Sequence, residues 1–308
     1  MAGPPAPLGR LPEEWADALK ELGAKPFHAR QIFRWLHARS VLSPDGMSDL
    51  PKALRAKLDA LDLGGTIAVT DARHAADGTR KLLVSFRDGA TVETVLIPGV
   101  SGGKGTLPSP LSSAAEDADA AAAVDDDDDP GDRSSDTSDA TGTGEPVRVT
   151  QCVSTQVGCA MGCVFCASGV AGLKRNLGPD EIVAQVLVGR QRLTEGEQLR
   201  NVVFMGMGEP LHNYEATARA LRLLTHPDGV GLSTRRITVS TSGLVPEIAR
   251  LGADFGGNIG LAVSLHAADD GVRGGLMPIN KKYPLAVLMA ALRSYPLPRR
   301  RRITIEYT

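Results

Sequence analysis

Cysteine is scarce in this sequence, and long apolar runs are absent from it. The 308 residues include only four cysteines, whereas disulfide-stabilised scaffolds are short, secreted and dense in cysteine. No stretch has the apolar length of a membrane-spanning helix. The first residues lack the basic start and apolar run of a signal peptide. We therefore expect a cytoplasmic protein without a membrane segment, in which clustered thiols bind a metal or carry out redox chemistry.

All four cysteines lie within one short stretch, CVSTQVGCAMGCVFC at 152–166. Cys159, Cys163 and Cys166 follow the spacing C-x3-C-x2-C, without the second cysteine pair or the histidine pair of most zinc sites. An iron–sulfur cluster with four irons normally takes four thiolates, so three would leave one iron open to another ligand. Two glycines in the stretch favour a loop over a packed helix. The open alternative is a zinc ion bound by three cysteines and one distant ligand.

Further motifs accompany the cysteines in a fixed order. Between about 148 and 308 the sequence contains CVSTQVGCAMGCVFCASG, GLKRNL, NVVFMGMGEPLHN, RRITVSTSG, LAVSLHA, MPINKKY and RRITIEY. The N-terminal part contains FHARQIFRWLH, MSDLPKALR and VETVLIP. The three cysteines with Phe165 resemble the radical S-adenosylmethionine (SAM) superfamily, and the whole set resembles its RlmN/Cfr family of RNA adenine methyltransferases. Apart from one insertion, the resemblance covers nearly the whole chain.

The first 64 residues have the pattern of a small helical domain. Trp15 and Leu19 lie on one face of the first predicted helix, and Ser48 and Asp49 form a cap region before the third. The basic side chains of this segment either contact RNA or are solvated. With the resemblance, we assign residues 1–64 as an accessory RNA-binding domain.

Two segments separate the helical domain from the cysteines. Residues 65–99 alternate in hydrophobicity between turn signals, which predicts a small β-sheet linker. Residues 100–147 are rich in Ser, Gly, Ala and Asp with almost no large apolar side chain, which predicts a disordered acidic insertion. Twelve acidic and two basic residues give the insertion a net charge of −10, so the rest of the chain carries +8 within the total of −2. A mildly basic folded part suits an RNA partner.

Predicted strands and helices alternate over residues 148–308. Such alternation predicts an α/β fold with parallel strands and right-handed crossovers. Together with the resemblance, it indicates a partial radical SAM (β/α)6-type barrel that stops after its fifth strand. Single polar residues end or follow the predicted strands, and active residues of such barrels gather at the carboxyl ends of the strands. We therefore expect the active site at this edge.

The resemblance implies a set of residues that bind cofactors. Cys159, Cys163 and Cys166 would hold a [4Fe–4S] cluster, whose open iron binds the amino and carboxylate groups of SAM. The positions that match SAM contacts of the family are Gly208, Glu209, Ser240, Ser264, Leu265 and His266. From the residues alone, the Gly-Glu pair is equally well a tight turn with a capping carboxylate. A lone serine at a strand end is more often a helix cap, and a lone histidine is more often a structural residue.

The resemblance also implies two catalytic residues. Cys152 matches a cysteine that resolves a covalent enzyme–RNA adduct by forming a disulfide with a second cysteine. Glu93, in VETV, matches the proton acceptor of the family. Without the resemblance, Cys152 is a buried strand residue or a fourth cluster ligand, and Glu93 is an ordinary strand carboxylate.

The reaction that the resemblance implies is methylation of adenine at C2. The RNA substrates would be 23S rRNA at the peptidyl transferase centre and the anticodon loop of tRNA. One SAM methylates a cysteine near the C-terminus, and a second SAM yields the radical through which this methyl group reaches the ring. An electron donor such as flavodoxin or ferredoxin would reduce the cluster. A Cfr-type reaction at C8 is the alternative within the family.

Two features depart from the family pattern. No cysteine follows Cys166, so the methyl-carrying cysteine would lie beyond Thr308, and the sequence stops at the fifth of six barrel strands. We therefore expect a fragment or a truncated product, and a catalytically incomplete cluster-binding remnant is one alternative. The others are a radical SAM activase or maturase, an electron carrier with Cys152 as its fourth thiolate, and an RNA-binding remnant.

Overall fold

The computed structural model describes residues 5–65, 67–99 and 146–307. Its strands are Ile67–His74 (β1), Arg80–Phe86 (β2), Thr91–Pro98 (β3), Val147–Cys152 (β4), Gln156–Val157 (β5), Arg175–Asn176 (β6), Glu197–Phe204 (β7), Ile237–Thr241 (β8), Gly260–Ser264 (β9) and Ile303–Glu306 (β10). Eight of them form one sheet in the order β1-β2-β3-β4-β7-β8-β9-β10, and β5 pairs with β6. The predicted disordered insertion lies outside the described residues, except for its last two positions.

The α-helices of the described residues are four to twelve residues long. The helices are Pro12–Glu21 (α1), His28–Phe33 (α2), Lys52–Asp59 (α3), Ala167–Val170 (α4), Pro179–Arg190 (α5), Tyr214–Thr225 (α6), Val245–Phe255 (α7), Asp270–Leu276 (α8) and Leu285–Arg293 (α9). Helix α2 continues into a π-helical turn at Arg34–Ala38. None of the helices in the described part is long and apolar enough to cross a bilayer.

The N-terminal helices pack on an apolar core, as their pattern predicts. Trp15 and Leu19 of α1 are fully buried, which confirms the predicted face of this helix. The predicted cap of the third helix is wrong, because α3 begins after Pro51 rather than after Ser48 and Asp49. Proline fixes its own φ near the helical value and suits the start of a helix, while the Asp49 carboxylate accepts a hydrogen bond from the Trp35 indole instead.

The predicted β linker is not a separate sheet. Strands β1, β2 and β3 pair in antiparallel fashion, with the expected turns between them. Strand β3 also pairs with β4, with Val95 opposite Cys152. The segment at 65–99 therefore extends the main sheet and brings its third strand beside the strand that leads into the cysteine loop.

The parallel half of the sheet has the predicted α/β architecture. Strands β4, β7, β8, β9 and β10 pair in parallel and in chain order. Strands β5 and β6 and helices α4 and α5 lie between β4 and β7, one helix each (α6 and α7) leads to β8 and β9, and α8 and α9 lie between β9 and β10. Every strand of this half thus points its carboxyl end to the same edge, which we call the carboxyl edge.

The two faces of the parallel strands differ in character. Phe204, Val239 and Leu261 stand opposite one another on neighbouring strands and are buried. This face carries the helices, since the Gln151 side chain donates to the Gln185 carbonyl of α5 at 2.7 Å. The other face presents small and polar side chains, including those of Cys152, Ser240, Ser264 and Glu306. A helix-covered apolar face therefore leaves the opposite face free to form a site.

Candidate active site

The loop after β4 carries the three cysteines of the predicted cluster site. Cys159 and Cys163 are buried, Cys166 is half-buried, and the Cys166 amide donates to the Cys163 carbonyl at 3.2 Å. Gly158 has a φ of 77°, and a Cβ there would lie 1.8 Å from the carbonyl oxygen of Gly172. Only glycine permits both this backbone conformation and this close approach. The stretch is thus a tightly folded loop, as the sequence predicts.

The three thiols of this loop lie within electrostatic range of one another. Burial, followed by the charges of Cys159, Cys166 and Glu209, raises the pKa of Cys163 to about 11. Burial also raises the pKa of Cys159. Cys159 and Cys163 therefore keep their protons at neutral pH, so a metal that binds them must release those protons.

The donor set of this loop fits an iron–sulfur cluster. Thiolates are soft ligands and select iron–sulfur clusters, zinc or copper(I) over hard cations. Across the residues that the structure describes, no three His, Cys, Asp or Glu groups converge as a ready-made metal site. The fold therefore brings three thiols onto one loop, and binding would still have to gather them around the metal.

The turn after β7 holds a buried carboxylate beside the cysteine loop. The Glu209 carboxylate accepts hydrogen bonds from the amides of Ser242 at 2.7 Å and Leu211 at 3.1 Å. Burial raises the pKa of Glu209 above its usual value, although these hydrogen bonds act against the shift. Gly208 has a φ of 102°, and a Cβ there would lie 2.5 Å from the Cβ of Gln156. This Gly-Glu pair is therefore fixed in one geometry from both sides.

Two predicted serines meet at a carboxylate that the sequence analysis missed. Ser240 donates to one oxygen of Glu306 at 3.1 Å, and Ser264 donates to the other at 2.6 Å. Ser264 and Glu306 are directly paired on β9 and β10. Glu306 ends a predicted strand in the motif RRITIEY, so the rule that placed the serines at strand ends could have found it too.

The segment after β9 has a strained backbone at the predicted SAM contacts. The amides of Leu265 and His266 both donate to the Glu306 carbonyl, at 2.9 and 3.2 Å. His266 has a φ of 57°, a left-handed conformation that is uncommon for residues other than glycine. Its ring packs edge-on against Phe165 of the cysteine loop, with 4.8 Å between centroids. Burial lowers the pKa of His266. Strained backbone of this kind clusters at functional sites.

The two predicted catalytic residues lie on the same face of neighbouring strands. Cys152 stands opposite Val95, and Glu93 lies two residues from Val95. Cys152 and Glu93 are therefore diagonal neighbours, about 7–8 Å apart. The Glu93 carboxylate is half-exposed and forms an ion pair with Lys81 at 2.9 Å. Burial, together with the charge of Glu306, raises the pKa of Cys152 to about 12.

Cys152 differs in its surroundings from the other three cysteines. Its sulfur interacts with the Met205 amide and with Glu306, whereas the loop thiols interact with one another. All four cysteines are free thiols, so the predicted disulfide of Cys152 does not form with any cysteine of this structure. This placement favours a separate role for Cys152 over the reading as a fourth cluster ligand.

Two protein families match separate parts of the chain. Residues 153–295 match the Radical SAM superfamily. Residues 10–62 match the ribosomal RNA large subunit methyltransferase N-terminal domain. The first match contains the cysteine loop and the turns after β7, β8 and β9, and the second contains helices α1, α2 and α3.

Individual relatives match over nearly the whole chain. The dual-specificity RNA methyltransferase RlmN of Sorangium cellulosum is 65% identical over 302 residues, which are 98% of this chain and 75% of that protein. The protein of the same name from Syntrophobacter fumaroxidans is 42% identical over 295 residues, 96% of this chain and 71% of its own length. The crystal structure of a radical SAM methyltransferase from Sphaerobacter thermophilus has a TM-score of 0.79 at 38% identity, and the match covers 99% of this chain and 76% of that one.

Proposed function

This chain belongs to the RlmN family of dual-specificity RNA methyltransferases in the radical SAM superfamily, and we propose that it methylates adenine at C2. The proposed substrates are 23S rRNA at the peptidyl transferase centre and the anticodon loop of tRNA. Membership of the superfamily implies a [4Fe–4S] cluster and SAM as cofactors. The observation that carries the proposal is the meeting of the cysteine loop, buried Glu209 and the serine-bound Glu306 at one edge of the sheet.

The proposed cofactor site uses the loop thiols and the buried carboxylate. Cys159, Cys163 and Cys166 would hold the cluster, which supplies the electron that cleaves SAM when both are bound. Glu209 is oriented by two backbone amides, so its carboxylate can accept from the ammonium group of SAM without reorganising. Gly208 lets the chain approach the ligand closely, because no side chain stands in the way.

The serine cluster would hold the other end of SAM. The hydroxyls of Ser240 and Ser264 are fixed by Glu306, so polar groups of a nucleoside meet an ordered set of oxygens. Leu265 and His266 lie against the same strand end. The contact between His266 and Phe165 joins this segment to the cysteine loop.

Glu93 is proposed to accept a proton during the reaction on RNA, and Cys152 to resolve the covalent enzyme–RNA adduct by forming a disulfide with a second cysteine. The half-exposed Glu93 carboxylate can accept a proton from the adenine carbon when the methyl group has been attached. Cys152 keeps its proton on Sγ at neutral pH, so it becomes a nucleophile only after a base removes that proton. We propose flavodoxin or ferredoxin as the reductant.

Reconstitution of the cluster tests the cofactor part of the proposal. Wild-type protein, Cys163→Ala and Cys152→Ala would be incubated anaerobically with iron and sulfide. We expect wild type and Cys152→Ala to bind about four irons and to show an electron paramagnetic resonance (EPR) spectrum that SAM changes, whereas Cys163→Ala loses the cluster. An electron carrier would lose its cluster in Cys152→Ala and would not respond to SAM, and a zinc protein would form no cluster.

The RNA part is tested by mass spectrometry of nucleosides. Transcripts of the 23S peptidyl transferase region and of tRNA would be incubated with the reconstituted protein, SAM and a reductant. Formation of 2-methyladenosine supports the proposal, and 8-methyladenosine would indicate the Cfr-type reaction instead. Because no cysteine follows Cys166 to carry the methyl group, cleavage of SAM without methylated adenosine would support a cluster-binding remnant and contradict methylation by these 308 residues alone.

A further inference from the structure

Arg273 of α8 is a fully buried arginine at the carboxyl edge. Its Nε donates to the Leu265 carbonyl at 3.1 Å, and one terminal nitrogen donates to the carbonyls of Ser242 at 2.7 Å and Ser264 at 3.1 Å. The other terminal nitrogen donates to the side chain of Asn280 at 2.7 Å. One guanidinium therefore ties together the segments after β8 and β9 and the turn that follows α8.

The segments that Arg273 holds are those of the proposed SAM site. The Ser242 amide binds the Glu209 carboxylate, and Ser264 and Leu265 are predicted SAM contacts. A planar guanidinium has five donors in a rigid fork, and four hydrogen bonds in this geometry fix the distance between the two segments. A flexible ammonium could not reproduce the same set.

The positive charge of Arg273 is bound only to neutral acceptors in these hydrogen bonds. One oxygen of the nearby Asp270 carboxylate, Oδ1, accepts from the Asn280 side chain at 2.9 Å and from the Leu285 amide at 2.8 Å. Buried charges in proteins are normally paired with an opposite charge. Asp270 interacts with Arg273 electrostatically but accepts none of these hydrogen bonds, so the buried guanidinium can still take a second negative partner.

The cysteine loop lies directly against the element that carries Arg273. The Val164 amide donates to the Leu276 carbonyl of α8 at 3.0 Å, and a Cβ on Gly162 would lie 3.7 Å from Pro278 in the next turn. Cys163 of this loop and Asp270 of α8 both lie within electrostatic range of Arg273. The charge thus faces the loop whose thiolates become negative when they bind a cluster.

We propose that Arg273 is a positioning residue that holds the two SAM-binding segments at a fixed distance and supplies the positive charge that faces the cluster. This inference rests on the proposed function, because it needs a cluster on the three cysteines. A nearby positive charge stabilises the more negative, reduced form of a cluster. Arg273 therefore raises the reduction potential and strengthens SAM binding by two separable properties, its charge and its fork geometry.

The test compares Arg273→Lys and Arg273→Gln with wild type after cluster reconstitution. The readouts are the midpoint potential, from a redox titration followed by EPR, and the affinity for SAM. We expect Arg273→Gln to shift the potential to more negative values and to weaken SAM binding about tenfold or more, the effect of losing hydrogen bonds from a charged group. Arg273→Lys should have a midpoint potential close to that of wild type, because it keeps the charge, but should lose as much affinity for SAM as Arg273→Gln does.

The matched control is Arg293→Gln, which removes the same charge from an exposed position at the end of α9. Its potential and SAM affinity should equal those of wild type. If Arg273→Gln does not fold, Asn280→Ala replaces it as the test variant. This change keeps the charge of Arg273 and removes one of its hydrogen-bond acceptors. It should weaken SAM binding and leave the midpoint potential unchanged.

Two failures can be told apart. If wild type itself forms no cluster that responds to SAM, the proposed function fails before any variant is compared. If wild type forms one and both Arg273 variants keep its potential and its SAM affinity, the proposal for Arg273 is wrong while the proposed function stands.

Discussion

Buried charged side chains have different partners at the two edges of the central sheet. Where strands begin, Arg80 of β2 and Glu197 of β7 form a buried ion pair with both carboxylate oxygens engaged, at 2.8 and 2.7 Å. Where the parallel strands end, Glu209 is held by backbone amides and Arg273 by carbonyls and an amide side chain. The first arrangement joins opposite charges by direct hydrogen bonds, whereas in the second each charged group is hydrogen-bonded to neutral groups.

This difference separates a stabilising edge from a binding edge. Burial alone would raise the pKa of Glu197, but hydrogen bonds from Thr194 and Arg80 outweigh it and hold the pKa below its usual value. At the carboxyl edge, the effect of burial exceeds that of the hydrogen bonds and raises the pKa of Glu209. A charge surrounded by neutral dipoles costs folding energy and can interact strongly with a charged ligand. The pattern agrees with α/β barrels in general, whose stability and chemistry lie at opposite edges.

Removal of Arg80 should have the largest effect on stability. The change Arg80→Ala leaves the Glu197 carboxylate buried without its partner, which typically costs about 3–5 kcal/mol. Unfolding by urea, followed by circular dichroism, measures this loss. The affinity of the folded variant for SAM should stay within about twofold of wild type, because the pair lies at the opposite edge of the sheet.

A double-mutant cycle with Glu197→Ala shows whether the loss comes from the pair. We expect the double variant to be more stable than the sum of the two single losses predicts, since no unpaired charge remains. Additive losses would mean that Arg80 stabilises the fold through its hydrogen bond to the Arg192 carbonyl and not through the ion pair with Glu197.

The second largest effect is expected at Gly208 on the carboxyl edge. Gly208→Ala forces an alanine into a φ of 102° and places its Cβ 2.5 Å from Gln156; strain and overpacking together cost about 2–4 kcal/mol. Because the turn carries Glu209, SAM binding should fall together with stability. Differential scanning fluorimetry and a SAM titration of the reconstituted protein measure the two effects.

Gly196 provides the matched control for this change. It also has a positive φ, 80°, but a Cβ there meets nothing within 4 Å. Gly196→Ala should therefore cost only the backbone term, about 1–2 kcal/mol, and leave SAM affinity unchanged. Equal losses for the two glycines would show that the contact with Gln156 is unimportant and that the turn is less rigid than its geometry suggests.

The parts of the molecule that local pattern determines could be predicted from the sequence. The cysteine loop, the alternation of strands and helices, and the polar residues at strand ends follow from spacing and periodicity over a few residues. The start of α3 could not be placed well, because Pro51 and the Ser48–Asp49 pair are competing cap signals and only tertiary contact with Trp35 occupies Asp49.

Features that depend on contacts between distant segments could not be predicted from the sequence. The register of Val95 against Cys152 joins segments separated by the acidic insertion, and no local pattern encodes it. Arg273 has the same difficulty, since an arginine on a short polar helix is typical of a solvated residue. Only the fold shows that its fork reaches carbonyls on two other segments.

A smaller effect on stability is expected from His37, a buried polar side chain that has neither an oppositely charged partner nor a hydrogen bond among the described residues. It is fully buried against Phe33. Burial lowers its pKa to about 3. The unfolded chain binds a proton near pH 6.5, so stability is fully present above that pH and falls as the pH drops toward 3. At pH 5 the loss is about 2 kcal/mol.

The measurement is the free energy of unfolding at pH 7 and pH 5 for wild type and His37→Leu. Leucine keeps the apolar contact and cannot be protonated, so the acid loss should shrink by about 2 kcal/mol. The control variant His74→Gln, at an exposed position of β1, should lose as much stability between pH 7 and pH 5 as wild type does. An equal acid loss in His37→Leu would assign the pH dependence to other groups.

The smallest effect is expected at Lys81, the residue next to Arg80 on the same strand. Its ion pair with Glu93 is nearly half-exposed at both side chains, so solvent screens it and Lys81→Ala should cost less than about 1 kcal/mol. The same urea measurement made on Arg80→Ala compares two neighbouring positions that differ in the burial of their partner. A loss as large as that of Arg80→Ala would mean that strand β2 itself, and not the burial of the pair, governs stability. Because Lys81→Ala leaves the Glu93 carboxylate half-exposed rather than buried without a partner, we expect the proposed proton acceptor to remain functional.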